Sequence, residues 1–146
     1  MLSPASRLIP ALRRLASAGP GLCEVCRSWG TGALCERCRA RYAPPQPRCT
    51  RCGLRLAQPA PACGACLREP PPWHRTVCVA DYGYPWDGLI AAFKFEGRVE
   101  LARTLAAQMV ESWRAAALPP PACLVAVPLA PARLAERGYD QAWELA

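Results

Sequence analysis

Eight cysteines in four C-x-x-C pairs constrain this chain more than any other feature. "CEVCRSWGTGALCERC" (23–38) holds two pairs separated by eight residues, and "CTRCGLRLAQPAPACGAC" (49–66) holds two more separated by ten. Two thiolates three positions apart on a tight knuckle can reach one ion, and a second knuckle folded back over a short loop completes a tetrahedron. The ligand sets expected are Cys23, Cys26, Cys35 and Cys38 for one Zn²⁺, and Cys49, Cys52, Cys63 and Cys66 for another. All four positions of each ion are then filled by protein, so both sites are expected to be structural. Gly53 suits a knuckle residue with positive φ. The corresponding positions after the other pairs hold Arg27, Arg39 and Leu67, so the pattern is imperfect.

Three other arrangements compete with sequential zinc sites. A redox C-x-x-C belongs to a βαβ context, and these pairs sit among Pro-rich loops. A disulfide scaffold needs an oxidising compartment. A cross-braced pairing of alternate knuckles would also hold two ions, but sequential pairing closes shorter loops at lower entropic cost.

The residues before Cys23 include Arg7, Arg13 and Arg14 and no acid. Those arginines interrupt any secretory apolar core, although composition alone leaves a transit peptide open. Leu8, Ile9, Leu12, Leu15 and Ala16 share a helical face, which favours a short amphipathic helix over 1–20. No apolar run reaches the length of a membrane span. A reducing, cytoplasmic setting is the expectation, with thiolate ligands in place of disulfides.

The formal charge is +7. Loading eight thiolates with two Zn²⁺ brings it to roughly +3, which weakens basicity as an argument for nucleic acid. Arg27, Arg37, Arg39, Arg41, Arg48, Arg51 and Arg55 nonetheless interleave with Trp29 and Tyr42 across the cassettes. That mixture suits either single-stranded nucleic acid or a solubilising surface on a very small domain.

The 17 prolines punctuate the chain into small units. From residue 74 the texture changes. "TVCVADY" (76–82) reads as a strand, and "PWDGLIAAFKFEG" (85–97) as a helix closed by Gly97. A longer helix is expected over 98–117. Leu101, Ala102, Leu105, Ala106, Met109, Val110 and Trp113 would line its apolar face, with Gln108 opposite. "CLVAVP" (123–128) reads as a strand buried on both faces of a parallel sheet. A basic loop over 129–139 would then lead to a helix opening at Asp140. Cys78 and Cys123, outside the cysteine rhythm, are expected to be small buried residues. A parallel sheet needs more than two strands, so the chain reads as the first part of an α/β domain.

The succession of tandem four-cysteine cassettes, "FKFEG" and "VPLAPARLAERGYDQA" resembles the ComF family. The likeness runs over nearly the whole chain from Cys23. It implies a double zinc ribbon over 21–70 and a partial phosphoribosyltransferase-like α/β domain over 74–146, with a link to DNA uptake in competence. It also implies that Arg133, Arg137, Gly138 and Gln141 line a pyrophosphate loop, with Lys94 a further phosphate contact. Asp140 stands where the family usually has Asn, an equivalent N-cap but a poorer phosphate partner. The family's acidic pair, which would hold the ribose of phosphoribosyl diphosphate with Mg²⁺, has no counterpart. Asp81, Asp87 and Asp140 are all isolated. Transferase activity is therefore expected only of a longer chain. A non-enzymatic zinc module binding single-stranded DNA or a protein of the uptake machinery is the alternative.

Overall fold

The computed structural model describes residues 20–146, so the amphipathic helix expected before them lies outside the described residues. The chain divides into two compact units, Met1–Arg41 and Tyr42–Ala146.

In the first unit β1 (Pro20–Leu22) pairs antiparallel with β2 (Trp29–Thr31), Leu22 opposite Trp29 and Gly21 opposite Gly30. Helix α1 (Glu36–Tyr42) follows, beginning directly after Cys35. The buried apolar residues here are Cys23, Leu34 and Cys38. A segment this small has almost no hydrophobic core, so its thiols occupy the place where a core would be.

The second unit opens with the other cassette and α2 (Gly64–Arg68). After residues 73–82 come α3 (Trp86–Phe95) and α4 (Leu101–Ala115). Trp86 and Phe93, seven positions apart on one stripe of α3, are both buried, and Leu101 and Ala102 are buried at the start of α4. Gly97 sits just beyond the end of α3 with φ +68°, as a C′ glycine should. Trp86 Nε1 donates to the Tyr42 carbonyl at 2.8 Å, satisfying the one polar group of a buried indole. Trp113 Nε1 donates to Pro119 O at 3.0 Å, fastening the proline run to the end of α4.

Several sequence expectations are corrected. Residues 76–82 form no strand; Thr76 N donates instead to Thr50 O in the second cassette. Residues 123–128 also form no strand, and Leu124, Val125 and Val127 are 65, 85 and 78% exposed. A strand exists by its ladder, and no described segment supplies a partner to either stretch. The only sheet among the described residues is the β1–β2 hairpin. Cys123 is exposed and Cys78 half-buried.

Gln108 is buried on α4, while Met109 and Val110 are about half exposed. The covered stripe is rotated toward Leu101 and Gln108 because α4 packs on both α3 and α6 (Gln141–Leu145). Finally, the expected loop over 129–139 contains a helix, α5 (Pro131–Arg137). Its signals were in the sequence: Pro131 at the first turn, good helix formers after it, and Gly138 at φ +78° closing it.

Burial separates two substitutions cleanly. Phe93→Ala should lower unfolding free energy by about 3–5 kcal/mol, because a filled site becomes a cavity. Leu124→Ser should change it by no more than about 0.5 kcal/mol. Urea unfolding of the zinc-loaded chain measures both; a large cost at Leu124 would restore the buried-strand reading.

Candidate metal centres

Each tetrad comes from one cassette. Cys23, Cys26, Cys35 and Cys38 bring their sulfurs within 4.8 Å of one another, and so do Cys49, Cys52, Cys63 and Cys66. Cross-bracing is thereby set aside. Cys26 Sγ lies 3.6 Å from Cys35 Sγ, and Cys52 Sγ 3.8 Å from Cys63 Sγ. A disulfide would place sulfurs at about 2.05 Å. Ligands at about 2.3 Å from a tetrahedral Zn²⁺ lie roughly 3.8 Å apart. The spacing fits zinc.

The two centres share one backbone plan. Shifting the first cassette by 26 residues lands Cys23 on Cys49, Arg27 on Gly53 and Trp29 on Arg55. Cys23 N donates to Ser28 O at 2.9 Å, and Cys49 N to Leu54 O at 2.8 Å. Arg27 N closes the first knuckle on Cys23 O at 2.8 Å; Gly53 N closes the second on Cys49 O at 2.9 Å. The Leu22–Trp29 pair of the hairpin recurs as an isolated bridge between Arg48 and Arg55. The second cysteine pair of each cassette lies at the start of a helix, α1 or α2.

Arg27 takes φ +57° and Gly53 φ +78°, so the knuckle imposes a left-handed residue whether or not it is glycine. The imperfect pattern after the pairs therefore conceals a regular geometry.

Four thiols this close cannot all ionise without a cation. A hydrogen bond from the Ser28 side chain, then its amide, lowers the Cys26 thiol to about 5. The Cys52 amide lowers Cys49 to about 6. Burial first, and neighbouring thiols second, push Cys38 and Cys66 up to about 12. In each tetrad one sulfur is poised as thiolate and another retains its proton, so a divalent ion must expel protons on binding.

The other residues singled out in the sequence are only partly brought together. Lys94, in the last turn of α3, and Gln141, first residue of α6, line one cavity of about 380 Å³ with Val79, Phe93 and Leu105. Gln141 is buried and its Nε2 has no hydrogen-bond partner. Arg133 is exposed on α5. The Arg137 guanidinium lies 4.8 Å from the centre of the Phe95 ring, and Gly138 caps α5.

Asp140 Oδ1 accepts from Ala142 N at 2.9 Å and Trp143 N at 3.3 Å, while Oδ2 accepts from Leu129 N at 3.1 Å. The Leu129 amide foremost holds this carboxyl below the usual carboxylate range. The N-cap expected at Asp140 is in place, and its own carboxylate takes the amides that an anion would need.

Two residues escaped sequence reasoning. Asp81 receives Arg48 at 2.7 Å and Arg55 at 3.6 Å. Gln108 lines the cavity. Neither carries a local signal, since their partners are distant in sequence.

DNA utilization protein YhgH of Salmonella typhi is 39% identical over 132 residues, covering 84% of this chain and 57% of that protein. The Escherichia coli K12 protein of the same name is 37% identical over the same extent. Competence protein F of Haemophilus influenzae is 35% identical over 83 residues, 54% of this chain and 36% of that protein. The chain is homologous to the DNA utilization protein YhgH and to competence protein F (ComF). It spans a little over half the length of the DNA utilization proteins it matches. No protein-family model and no solved structure matches it. Among the described residues of this ComF homologue, no helix is long and apolar enough to cross a membrane.

Elemental analysis of the purified protein should find two zinc ions per chain, and Cys52→Ser should remove one. Loss of both, or none bound under reducing conditions, would contradict independent sites. Zinc affinity should fall at least tenfold for each unit the pH drops below 7, because binding displaces at least the Cys38 or Cys66 proton. Competition with a chromogenic chelator across pH measures this.

Proposed function

We propose that this chain is the zinc-ribbon portion, with the start of a phosphoribosyltransferase-like domain, of a protein acting in DNA uptake or utilization. The observation that carries the reading is the tandem four-cysteine repeat joined to relatives named for DNA utilization and competence. The zinc ions are structural. Arg133 and Arg137 supply positive charge for a pyrophosphate, Gly138 lets the backbone approach, and Gln141 and Lys94 offer further donors. Because Asp140 already occupies the α6 amides, anion recognition rests on the guanidinium groups. Arg137 must then leave the Phe95 ring to reach a phosphate.

Catalysis of this class needs charge stabilisation at both ends of phosphoribosyl diphosphate, including Mg²⁺ and acids for the ribose hydroxyls. No two acidic residues are adjacent anywhere in the 146 residues. The ribose end belongs, in this proposal, to sequence that the longer relatives carry outside the matched span. Calorimetric titration of phosphoribosyl diphosphate with Mg²⁺ tests it. Residues 1–146 should not bind. A chimera carrying the unmatched part of the DNA utilization protein should bind, and Arg137→Ala should weaken it at least tenfold. Tight, saturable binding to residues 1–146 would relocate the site.

A second reading, single-stranded DNA on the first ribbon, is favoured by one contrast. Trp29 is 76% exposed on β2, and the Arg27 side chain, though paired with Glu24 at 3.3 Å, remains 69% exposed. In the second ribbon Arg48 and Arg55 engage Asp81, and Arg51 donates to Trp73 O. If bases stack on Trp29, oligonucleotide affinity should fall steeply as salt rises, and Trp29→Ala should weaken it at least tenfold. Binding that is indifferent to salt, or to Trp29→Ala, would reject this reading.

A further inference from the structure

The two knuckles have the same backbone hydrogen bonds, and at the left-handed position that follows each pair one carries Arg27 and the other Gly53. Because Arg27 closes its knuckle at φ +57°, the metal loop itself does not require glycine. Something else requires it at 53. A Cβ on Gly53 would overlap Cys78 Sγ and come within 3.2 Å of Thr76 Cγ2. The missing side chain is the seat into which the 73–82 segment fits.

Other contacts converge on the same seat. Thr76 N donates to Thr50 O at 2.8 Å. Thr76 Oγ1 and Trp73 Nε1 both donate to Arg51 O, at 2.5 and 2.7 Å. Arg51 returns a bond to Trp73 O at 3.3 Å. Asp81 is gripped by Arg48, only 17% exposed, and by Arg55. Thr50 and Arg51 are the two residues between ligands Cys49 and Cys52, so the knuckle that would wrap the metal is itself the docking surface. The docked segment also borders the cavity: Cys78 to Tyr82 line it together with Lys94 and Gln141.

We propose that the second metal site is a metal-dependent clamp. Its knuckle fixes residues 73–82 through the Gly53 seat and the Arg48–Asp81–Arg55 ion pairs, and so fixes one wall of the Lys94 cavity. Among the described residues the first site has no such role. Emptying the second site frees Thr50 and Arg51 from their knuckle geometry, and the acceptors that hold Thr76 and Trp73 go with them. The clamp depends only on the contacts above, so it stands whether or not the chain acts on phosphoribosyl diphosphate.

The Thr76 amide reports directly on the clamp, because its hydrogen bond is to the knuckle. Hydrogen exchange at Thr76, read with zinc content, is the test. Cys52→Ser should lose one zinc and accelerate Thr76 exchange at least tenfold. Cys26→Ser should also lose one zinc but leave Thr76 within about twofold of wild type. Gly53→Ala should retain both ions yet accelerate Thr76, and adding Cys78→Ala should recover part of the protection. Should Cys52→Ser fail to fold, the Gly53→Ala pair and stepwise chelation of the wild-type protein decide instead, with Thr76 protection lost together with the second-site ion. Equal acceleration by Cys26→Ser would overturn the proposal. So would Gly53→Ala that loses zinc, which would make the glycine a requirement of the knuckle, or Gly53→Ala that leaves Thr76 protected.

Discussion

Repulsion among four thiolates held within 4.8 Å is the constraint on which each cassette depends. A cluster of that kind is stable only around a cation, and in a segment whose buried apolar residues are mainly the cysteines themselves the cation replaces a core. The knuckle amides and Ser28 prepare part of each tetrad for ionisation, while burial opposes the remainder. A divalent ion bound there would resolve that conflict and couple the folding of each cassette to pH and to metal supply.

A single plan used twice has been put to different ends. In the first cassette the left-handed position carries an exposed arginine and the hairpin presents Trp29 to solvent. In the second the same position is a glycine under Cys78, and the arginines around it are committed to Asp81 and Trp73. Positive charge in the sequence is therefore a poor guide to where an anionic partner would bind. Arg48, Arg51 and Arg55 belong to a basic, aromatic-interleaved stretch of sequence, yet in the fold each engages a partner within the protein.

The downstream helices show how far local pattern reaches. Trp86 and Phe93 on α3, the Gly97 terminus and the Asp140 cap were all readable, because a helix satisfies its own backbone and its signals are local. The two strand readings failed for the complementary reason. A β-branched apolar run records a preference for a pleated surface, and that preference is realised only when another segment offers a ladder. Residues 76–82 found the second cassette, and residues 123–128 found no partner among the described residues.

Sequence alone determined which cysteines gather into each tetrad, their sequential grouping and the helices flanking the cavity. Each of these follows from spacing within one short stretch of chain. Only the tertiary structure decided that Gly53 serves as a seat for Cys78, that Asp81 joins two arginines, and that Gln108 turns inward. It also decided that Lys94 and Gln141 share a cavity from which Arg133 and Arg137 are absent. These are meetings of residues dozens of positions apart, fixed by which surfaces pack together, and no local spacing encodes them.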